Sequence, residues 1–167
     1  MAGAFIYAIT YGGSRWVVGG NNGRLLYGDD LGVPFTVAAG NPFQTLGSQT
    51  VYAIAWGSNR YVAVGSAGVV AHSGDGITWT VVTGTANPFG SNSLRAVAFG
   101  GGANGRWIAA GEGGVLAYSN ADATSWTLVP AANNPFGSET IRGIAYGAGR
   151  FVAVSGSGRI AYSANWP

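Results

Sequence analysis

Few residues of this chain could take part in a reaction that needs a pair of carboxylates. The sequence holds six acidic residues, and the only glutamates are Glu112 and Glu139. Glycoside hydrolysis requires two carboxyl groups that face one glycosidic bond. Both glutamates lie in predicted loops, and no feature of the sequence directs their two carboxyl groups to one bond. We therefore predict that the chain is not an enzyme.

Other catalytic and cofactor chemistry is equally short of residues. His72 is the only histidine and cysteine is absent, so a serine triad would need His72 and a thiolate metal site is excluded. The glycine-rich turns are not followed by helical patterns, so they do not predict a phosphate-binding loop. We expect His72 to be a half-buried packing residue, and we predict no cofactor and no metal.

Binding chemistry has better candidates, because aromatic rings, amides and guanidinium groups recur along the chain. Aromatic rings stack on the C–H faces of sugars, while fixed polar groups bond to hydroxyls. The predicted ligand-binding residues are Tyr7, Tyr52, Arg95, Arg142, Asn87, Phe89, Asn134 and Phe136. For the asparagines and phenylalanines a structural alternative stays open, in which Asn caps a turn and Phe packs between repeats.

These residues recur because the chain is built from a repeat of about 45 residues. An arginine followed by an aromatic residue stands at positions 15, 60, 106 and 150, with spacings of 45, 46 and 44. An Asn-Pro-Phe sequence begins at positions 41, 87 and 134, with spacings of 46 and 47. The chain therefore holds nearly four units.

Each unit contains four short segments that are typical of strands. Tyr52–Trp56 illustrates the first, Arg60–Val64 the second, Val115–Tyr118 the third and Trp126–Val129 the fourth. No stretch keeps helical periodicity for ten residues, whereas β-branched and aromatic residues fill every segment. Four strands in about 45 residues predict one propeller blade. We predict an all-β fold, a β-propeller of four four-stranded blades in a single domain over residues 1–167, with blades at approximately 5–50, 51–93, 94–140 and 141–167.

The fourth blade is predicted to be incomplete, because the sequence ends at Ser163–Pro167, where its outer strand should begin. Met1–Ala4 can supply that strand and close the ring. Alternatively another chain covers the open edge, since unpaired strand edges invite association. We favour a homo-oligomer formed through the open blade edge.

Strand direction assigns the turns to two faces. The loops that cross between blades and the second turn of each blade share one face, called the top face here, and the first and third turns share the bottom face. Tyr7, Tyr52, Arg95 and Arg142 begin the inner strands, so we expect them to rim the central opening on the top face. On the bottom face each arginine of the repeat has acidic residues nearby, except Arg150, which predicts a repeated arginine–carboxylate pair. The residues of that set are Arg15, Arg60, Arg106, Asp29, Asp30, Asp75 and Asp122.

The turn from Ser73 to Trp79 carries a family resemblance. It reads Ser-Gly-Asp-Gly-Ile-Thr-Trp and resembles the Asp-box, Ser-x-Asp-x-Gly-x-x-Trp, one residue short. Residues Ser119–Trp126 form a longer copy that contains Asp122. On these motifs the chain resembles the BNR-like, sialidase-type propeller repeat proteins of bacteria and phages. The resemblance implies a propeller in which the box is a structural turn. The catalytic members of the family carry an arginine triad, a Tyr/Glu pair and a general acid on six blades, and this sequence does not match that set.

The charge and the hydropathy of the sequence limit the kinds of partner that it predicts. The net charge of +2 forms no run, so nucleic acid is not predicted. No apolar run approaches the length of a membrane helix, and no basic residue precedes Arg15, so neither membrane insertion nor a Sec signal is predicted. The localisation is left open: if the protein works outside a cell, we expect a route other than a Sec signal or an association with a virion. We predict a non-enzymatic module for surface glycans, as a lectin or a phage receptor-binding or tail component. The alternative is a structural self-assembling protein of a virion, shell or fibre.

Overall fold

The computed structural model describes residues 3–29, 34–101 and 105–163, and these ranges form four antiparallel blades. The first blade consists of β1 (Ile6–Gly12), β2 (Arg15–Gly20), β3 (Leu25–Gly28) and β4 (Thr36–Val37). The second consists of β5 (Val51–Gly57), β6 (Arg60–Gly65), β7 (Val70–Ser73) and β8 (Thr80–Val81). The third consists of β9 (Leu94–Gly100), β10 (Arg106–Gly111), β11 (Leu116–Ser119) and β12 (Trp126–Leu128). The fourth consists of β13 (Ile141–Gly147), β14 (Arg150–Ser155) and β15 (Ile160–Ser163).

This architecture confirms the predicted all-β fold of four blades. Strands pair in sequence order within each blade, and the described part of the fourth blade has three strands. A short helix, α1 (Pro42–Thr45), interrupts the first crossing loop. It begins at an asparagine cap followed by proline, which is the pattern expected at a helix start.

The first strand of each blade lies against the first strand of the next. β5 packs beside β1, β9 beside β5, and β13 beside β9, so the four strands succeed one another around a common axis. Among the described residues, β13 and β1 do not pack side by side in this way, and the blades form an open arc. Gly3 stays with the first blade, where its carbonyl accepts a hydrogen bond of 3.1 Å from Asn21 Nδ2. Met1 and Ala2, which the ring-closing alternative also needs, lie outside the described residues.

The core lies between blades, because the second strand of each blade is apolar on both sides. Side chains alternate across a strand. In β6, Tyr61 and Ala63 belong to the core shared with the first blade, whereas Val62 and Val64 belong to the core shared with the third. All four are buried. The second and third blades are therefore each packed between two neighbours, whereas the first and fourth blades each have one.

Each junction between blades is closed by an aromatic ring packed on a glycine. A Cβ added to Gly12, Gly57 or Gly100 would overlap the ring at the end of the next inner strand. The rings are Trp56, Phe99 and Tyr146, respectively. In its own blade each ring contacts the aromatic residue that follows the repeated arginine, with centroid separations of 4.4, 5.0 and 4.8 Å. The glycine thus makes room for a braced pair of rings from the next blade.

Candidate binding site on the axial rim

Three of the four residues that begin the inner strands form one contiguous cluster. The rings of Tyr7 and Tyr52 lie 5.8 Å apart between centroids, at an interplanar angle of 59°. The guanidinium carbon of Arg95 lies 3.9 Å from the centroid of the Tyr52 ring, which is a cation–π contact. Tyr7 remains 53% exposed, and Tyr52 and Arg95 are half-buried. The cluster therefore presents rings and a cation to solvent beside the axis.

Arg95 is also ion-paired with Glu112, from the turn after β10. Hydrogen bonding from Arg95 lowers the pKa of the Glu112 carboxyl from its ordinary value, so Glu112 is held as a carboxylate. Burial opposes the charged form of Arg95, but the bond to Glu112 and the interactions with Tyr52 together outweigh burial, so the pKa of Arg95 is raised. The Nε atom of Arg95 is buried with no hydrogen-bond partner among the described residues. Glu112 thus belongs to the rim together with the predicted residues.

The pairing of Glu112 with Arg95 was not predicted, although the repeat contains a signal for it. In each blade the first residue of the second turn donates its backbone N–H to the carbonyl of the residue that precedes the inner strand. Glu112 donates to Ser93 over 2.9 Å, and Ser66 donates to Thr50 over 2.9 Å. Aligning the repeats places Glu112 at this position, close to Arg95.

Arg142 completes the rim on the fourth blade. It is exposed, and its side chain lies beside Gly156 in the second turn of that blade. In the ranges that the structure describes, no carboxylate is paired with Arg142. Its guanidinium group is therefore available to an external acceptor.

Glu139, the second glutamate, is engaged within the fourth blade. Its carboxylate accepts hydrogen bonds from Ser155 Oγ at 2.6 Å, from Ser157 Oγ, and from Arg159 Nε at 3.1 Å. The serine hydroxyls, followed by Arg159, lower the pKa of Glu139. A glycosidase general acid needs a raised pKa. Neither glutamate has that property in this arrangement.

The predicted asparagines and phenylalanines of the crossing loops face inward. Phe89 and Phe136 are buried and belong to the cores between blades. Asn87 and Asn134 accept the N–H of these phenylalanines and donate from Nδ2 to Gly68 and Gly114, at 3.0 and 2.7 Å. These contacts are the ones expected from the alternative in which Asn caps a turn and Phe packs between repeats. Through them each crossing loop is hydrogen-bonded to the second turn of the preceding blade. The exposed part of the candidate site reduces to Tyr7, Tyr52, Arg95, Glu112 and Arg142.

On the bottom face the expected arginine–carboxylate pair occurs at Arg15, and Arg15, Arg106 and Arg150 also lie against rings of the third strand. Arg15 pairs with Asp29 at 2.5 Å, but it also lies 5.3 Å from the Tyr27 centroid. Arg106 and Arg150 lie over Tyr118 and Tyr162 at 5.2 and 5.5 Å. The physical reason is register, because the third strand pairs with the second and brings its ring alongside the arginine. Asp30 lies outside the described residues.

His72 replaces the tyrosine of this arrangement in the second blade. It is half-buried, as expected, and its Nδ1 lies 2.8 Å from Arg60 Nη1. Arg60 can only donate, so Nδ1 is the acceptor and the imidazole is neutral. Burial, followed by the charge of Arg60, lowers the pKa of His72.

The Asp-box-like turn of the second blade is closed by its own polar groups. Asp75 Oδ1 accepts the N–H groups of Ile77 and Thr78, both at 2.8 Å, and the Ser73 hydroxyl at 2.9 Å. Trp79 is buried and donates from Nε1 to the carbonyl of Gly76 at 3.2 Å. Burial would raise the pKa of Asp75, but these donors outweigh it and the pKa is lowered. The turn is a structural element, as the resemblance implies.

The described residues contain neither a cluster of metal-binding side chains nor a helix suited to crossing a membrane. No group of three or more histidine, aspartate or glutamate side chains lies close enough to hold a metal ion within these ranges. No helix in the same ranges is long and apolar enough to cross a membrane.

Solved structures match this arrangement closely. The WD40 beta propeller domain of Doa1 matches with a TM-score of 0.70 and 10% identity over 95% of this chain and 50% of that one. The fold is a β-propeller. The computationally designed Ika4 protein matches with a TM-score of 0.70 and 17% identity, over 98% of this chain and 94% of that one. An ancestral GH74 enzyme matches with a TM-score of 0.70 and 17% identity, over 98% of this chain and 23% of that one.

These likenesses establish the fold alone, because the identities are low and propellers host unrelated functions. The chain spans about half of the Doa1 domain and about a quarter of the GH74 enzyme. No family model and no curated protein sequence matches the chain.

Proposed function

We propose that this chain is a non-enzymatic binding module whose ligands are surface glycans. The proposed site is the axial rim formed by Tyr7, Tyr52, Arg95 and Arg142, with Glu112 as the partner of Arg95. The observation that carries the proposal is the partly exposed cluster of two tyrosine rings and an arginine at the axis. Rings of this kind stack on sugar C–H faces, and guanidinium groups donate to sugar oxygens.

The charge of the rim favours glycans that carry a carboxylate. Arg142 is exposed without a carboxylate partner in the described ranges, and a guanidinium group binds a carboxylate through two parallel hydrogen bonds. Arg95 is already paired with Glu112, so it contributes mainly through its contact with Tyr52. Arg142 is therefore the residue expected to select an acidic sugar.

A binding role is preferred to catalysis because both glutamates are held as anions. Glu112 is paired with Arg95, and Glu139 accepts bonds from Ser155, Ser157 and Arg159. Hydrolysis of a glycosidic bond would require one protonated carboxyl group and one ionised one at the same bond. The lowered pKa values of Glu112 and Glu139 oppose that division of roles.

The Asp-box-like turn supports a place among the BNR-like propellers of bacteria or phages. The closed network around Asp75 is the feature on which this assignment rests. Within that setting we propose a lectin or a receptor-binding or tail component of a phage. Several shallow sites on one particle would then gain strength through multivalent attachment.

The test is a glycan array probed with the wild-type protein, followed by titration of the glycans that bind. Arg142→Ala is expected to weaken binding of a carboxylate-bearing glycan about tenfold or more, because arginines at binding sites often contribute more than 1 kcal/mol. Arg150→Ala is the matched control, since it removes the same charge from the bottom face. A wild-type protein that binds no glycan would contradict the proposal, as would equal losses in both variants.

A second candidate is a self-assembling structural protein of a virion, shell or fibre. The observation in its favour is the exposed apolar surface on the inner strand of the first blade and on the fourth blade. A blank glycan array together with a large, discrete assembly in solution would favour this candidate.

A further inference from the structure

The two ends of the arc expose apolar strand side chains whose counterparts at the junctions inside the arc are mostly buried. The leading face is defined by Ile6, Ile9 and Tyr11 of the first blade, which are 49–58% exposed. The residues that match Ile6 in the next blades are fully buried: Val51, Leu94 and Ile141. A contiguous exposed apolar face of this kind often marks an interaction site.

The trailing face of the fourth blade shows the same contrast. It is defined by Val152, Val154 and Ile160, which are 39–69% exposed. Their counterparts in the second blade, all fully buried, are Val62, Val64 and Val70. The trailing face therefore has the composition of an inter-blade core but no following blade to contact it.

The glycine that receives the next aromatic ring is also unoccupied at this end. A Cβ added to Gly12, Gly57 or Gly100 would overlap a ring, whereas a Cβ added to Gly147 would meet nothing within 4 Å. At the other end, Tyr11 is 54% exposed and is braced by Trp16 at 4.9 Å between centroids, like the three rings that fill glycines. At one end of the arc, therefore, no ring of the described residues packs on Gly147. At the opposite end the ring pair of Tyr11 and Trp16 packs on no glycine of a preceding blade.

We propose that the leading face of one copy docks on the trailing face of a second copy, and the reverse, so that two chains form one closed ring. Tyr11 of each copy packs on Gly147 of the other, as Trp56 packs on Gly12 within the chain. A head-to-tail contact of this kind produces a closed ring when the rotation between copies closes. Four blades from each chain then surround one axis.

The interior junctions also give the register of the proposed contact. A Cβ added to Gly19 would meet the side chains of Val51 and Ile54 in the next blade. In the repeat, Gly19 corresponds to Val154, and Val51 and Ile54 correspond to Ile6 and Ile9. Val154 of one copy is therefore expected to face Ile6 and Ile9 of the other. We favour a second copy as the occupant because it has the same repeat. Its leading face therefore carries the ring pair and the apolar strand that match the trailing face.

This inference does not rest on glycan binding, and its readout is mass. Sedimentation velocity of the wild-type protein is expected to give twice 16.9 kDa, about 34 kDa. Gly147→Leu is expected to give the monomer, because the added side chain occupies the space that Tyr11 needs. Gly74→Leu is the matched control, since Gly74 is also exposed and a Cβ there also meets nothing within 4 Å. Circular dichroism confirms that each variant is folded.

A charge exchange tests the head-to-tail geometry. Ile9→Lys and Val154→Glu, each alone, are expected to be monomeric and folded, because both positions are exposed in the single chain. Mixed in equal amounts, they are expected to restore a species of about 34 kDa, with one Lys–Glu junction and one wild-type junction. A wild-type protein that stays monomeric at high concentration, or that forms larger open assemblies, would overturn the proposal. So would a dimer that survives Gly147→Leu and both face variants.

Discussion

Tyr146 packs on Gly100 so closely that a Cβ on the glycine would lie inside the tyrosine ring. The two residues belong to different blades, and the same relationship joins the first blade to the second and the second to the third. Packing at these three junctions between blades therefore depends on the absence of a Cβ at the end of the preceding inner strand.

The first prediction is that Gly100→Ala destabilises the protein. The added methyl group forces Tyr146 away from the fourth-blade junction, and overpacking of this kind costs about 1–3 kcal/mol. Chemical denaturation of the variant measures the free energy of unfolding. Gly74→Ala is the control, because a Cβ there meets no neighbour within 4 Å and we expect almost no change. Equal effects of the two substitutions would contradict the packing argument.

The second prediction concerns Tyr61, whose hydroxyl donates to the carbonyls of Gly12 and Arg15 in the preceding blade. Burial raises the pKa of Tyr61 to about 12. The folded protein thus holds this proton more tightly than the unfolded chain, for which the pKa is about 10. The stability that Tyr61 contributes is complete below about pH 10 and is lost as the pH rises towards 12.

Tyr61→Phe is expected to lower the free energy of unfolding by about 1–2 kcal/mol at neutral pH, because buried carbonyls lose a donor. The variant should also lose less stability than the wild type between about pH 10 and 12. Urea denaturation at several pH values measures both effects. Parallel pH profiles for the two proteins would show that Tyr61 is not the titrating group.

The third prediction separates the two Asp-box-like turns. Asp75 accepts two backbone N–H groups and a hydroxyl, whereas Asp122, within the described ranges, accepts the N–H of Thr124 at 3.2 Å. Asp75→Ala is therefore expected to cost about 1–3 kcal/mol, and Asp122→Ala clearly less. Thermal and urea denaturation compare them.

The same turn predicts a dependence on acid. Because the pKa of Asp75 is lowered in the folded protein, its contribution is present above the unfolded value of about 3.8 and is lost as the pH falls below it. Asp75→Asn keeps one acceptor oxygen but cannot titrate. Its stability should therefore fall less than that of the wild type below about pH 4, and an identical fall would exclude Asp75 as a source of acid sensitivity.

The fourth prediction concerns His72, which accepts a hydrogen bond from Arg60 in its neutral form. Its pKa is lowered by burial and then by Arg60, so the folded protein binds this proton less tightly than the unfolded chain does. The stability from neutral His72 is complete above about pH 6.5 and is lost as the pH falls below that value. The wild type should become less stable between pH 7 and 5.

His72→Tyr restores the residue found at the matching position of the other blades. Arg60 is then expected to lie over the tyrosine ring, as Arg106 lies over Tyr118. The variant should fold and should lack the loss of stability between pH 7 and 5. If the variant keeps the same pH dependence, another group causes it.

The fold was largely predictable because its determinants are local and repeated. The Ala-rich inner strands, the arginine–aromatic pairs and the Asn-Pro-Phe loops mark strand positions without any knowledge of distant contacts. The rim residues Tyr7, Tyr52 and Arg95 were placed together for the same reason, since each begins an inner strand and neighbouring inner strands lie side by side.

The side-chain partners that could not be predicted are those set by distances in the folded protein. The arginines of the bottom face were assigned to carboxylates because both occur in turns on that face. In the structure the pairing of the second and third strands brings a ring to Arg106 and Arg150, and the turn acid Asp75 is occupied by its own backbone. The bond between Arg95 and Glu112 was missed because 17 residues separate them, and only aligned repeats bring them together.

The ring-on-glycine junction has a consequence for how such a chain can change in length. Every unit carries both halves of the joint, an aromatic pair at its leading side and a glycine at its trailing side. A tandem duplication of one unit in the gene therefore adds a module that already fits its predecessor and its successor. Growth or loss of whole units needs no new complementary surface, whereas an insertion of half a unit would leave two mismatched sides.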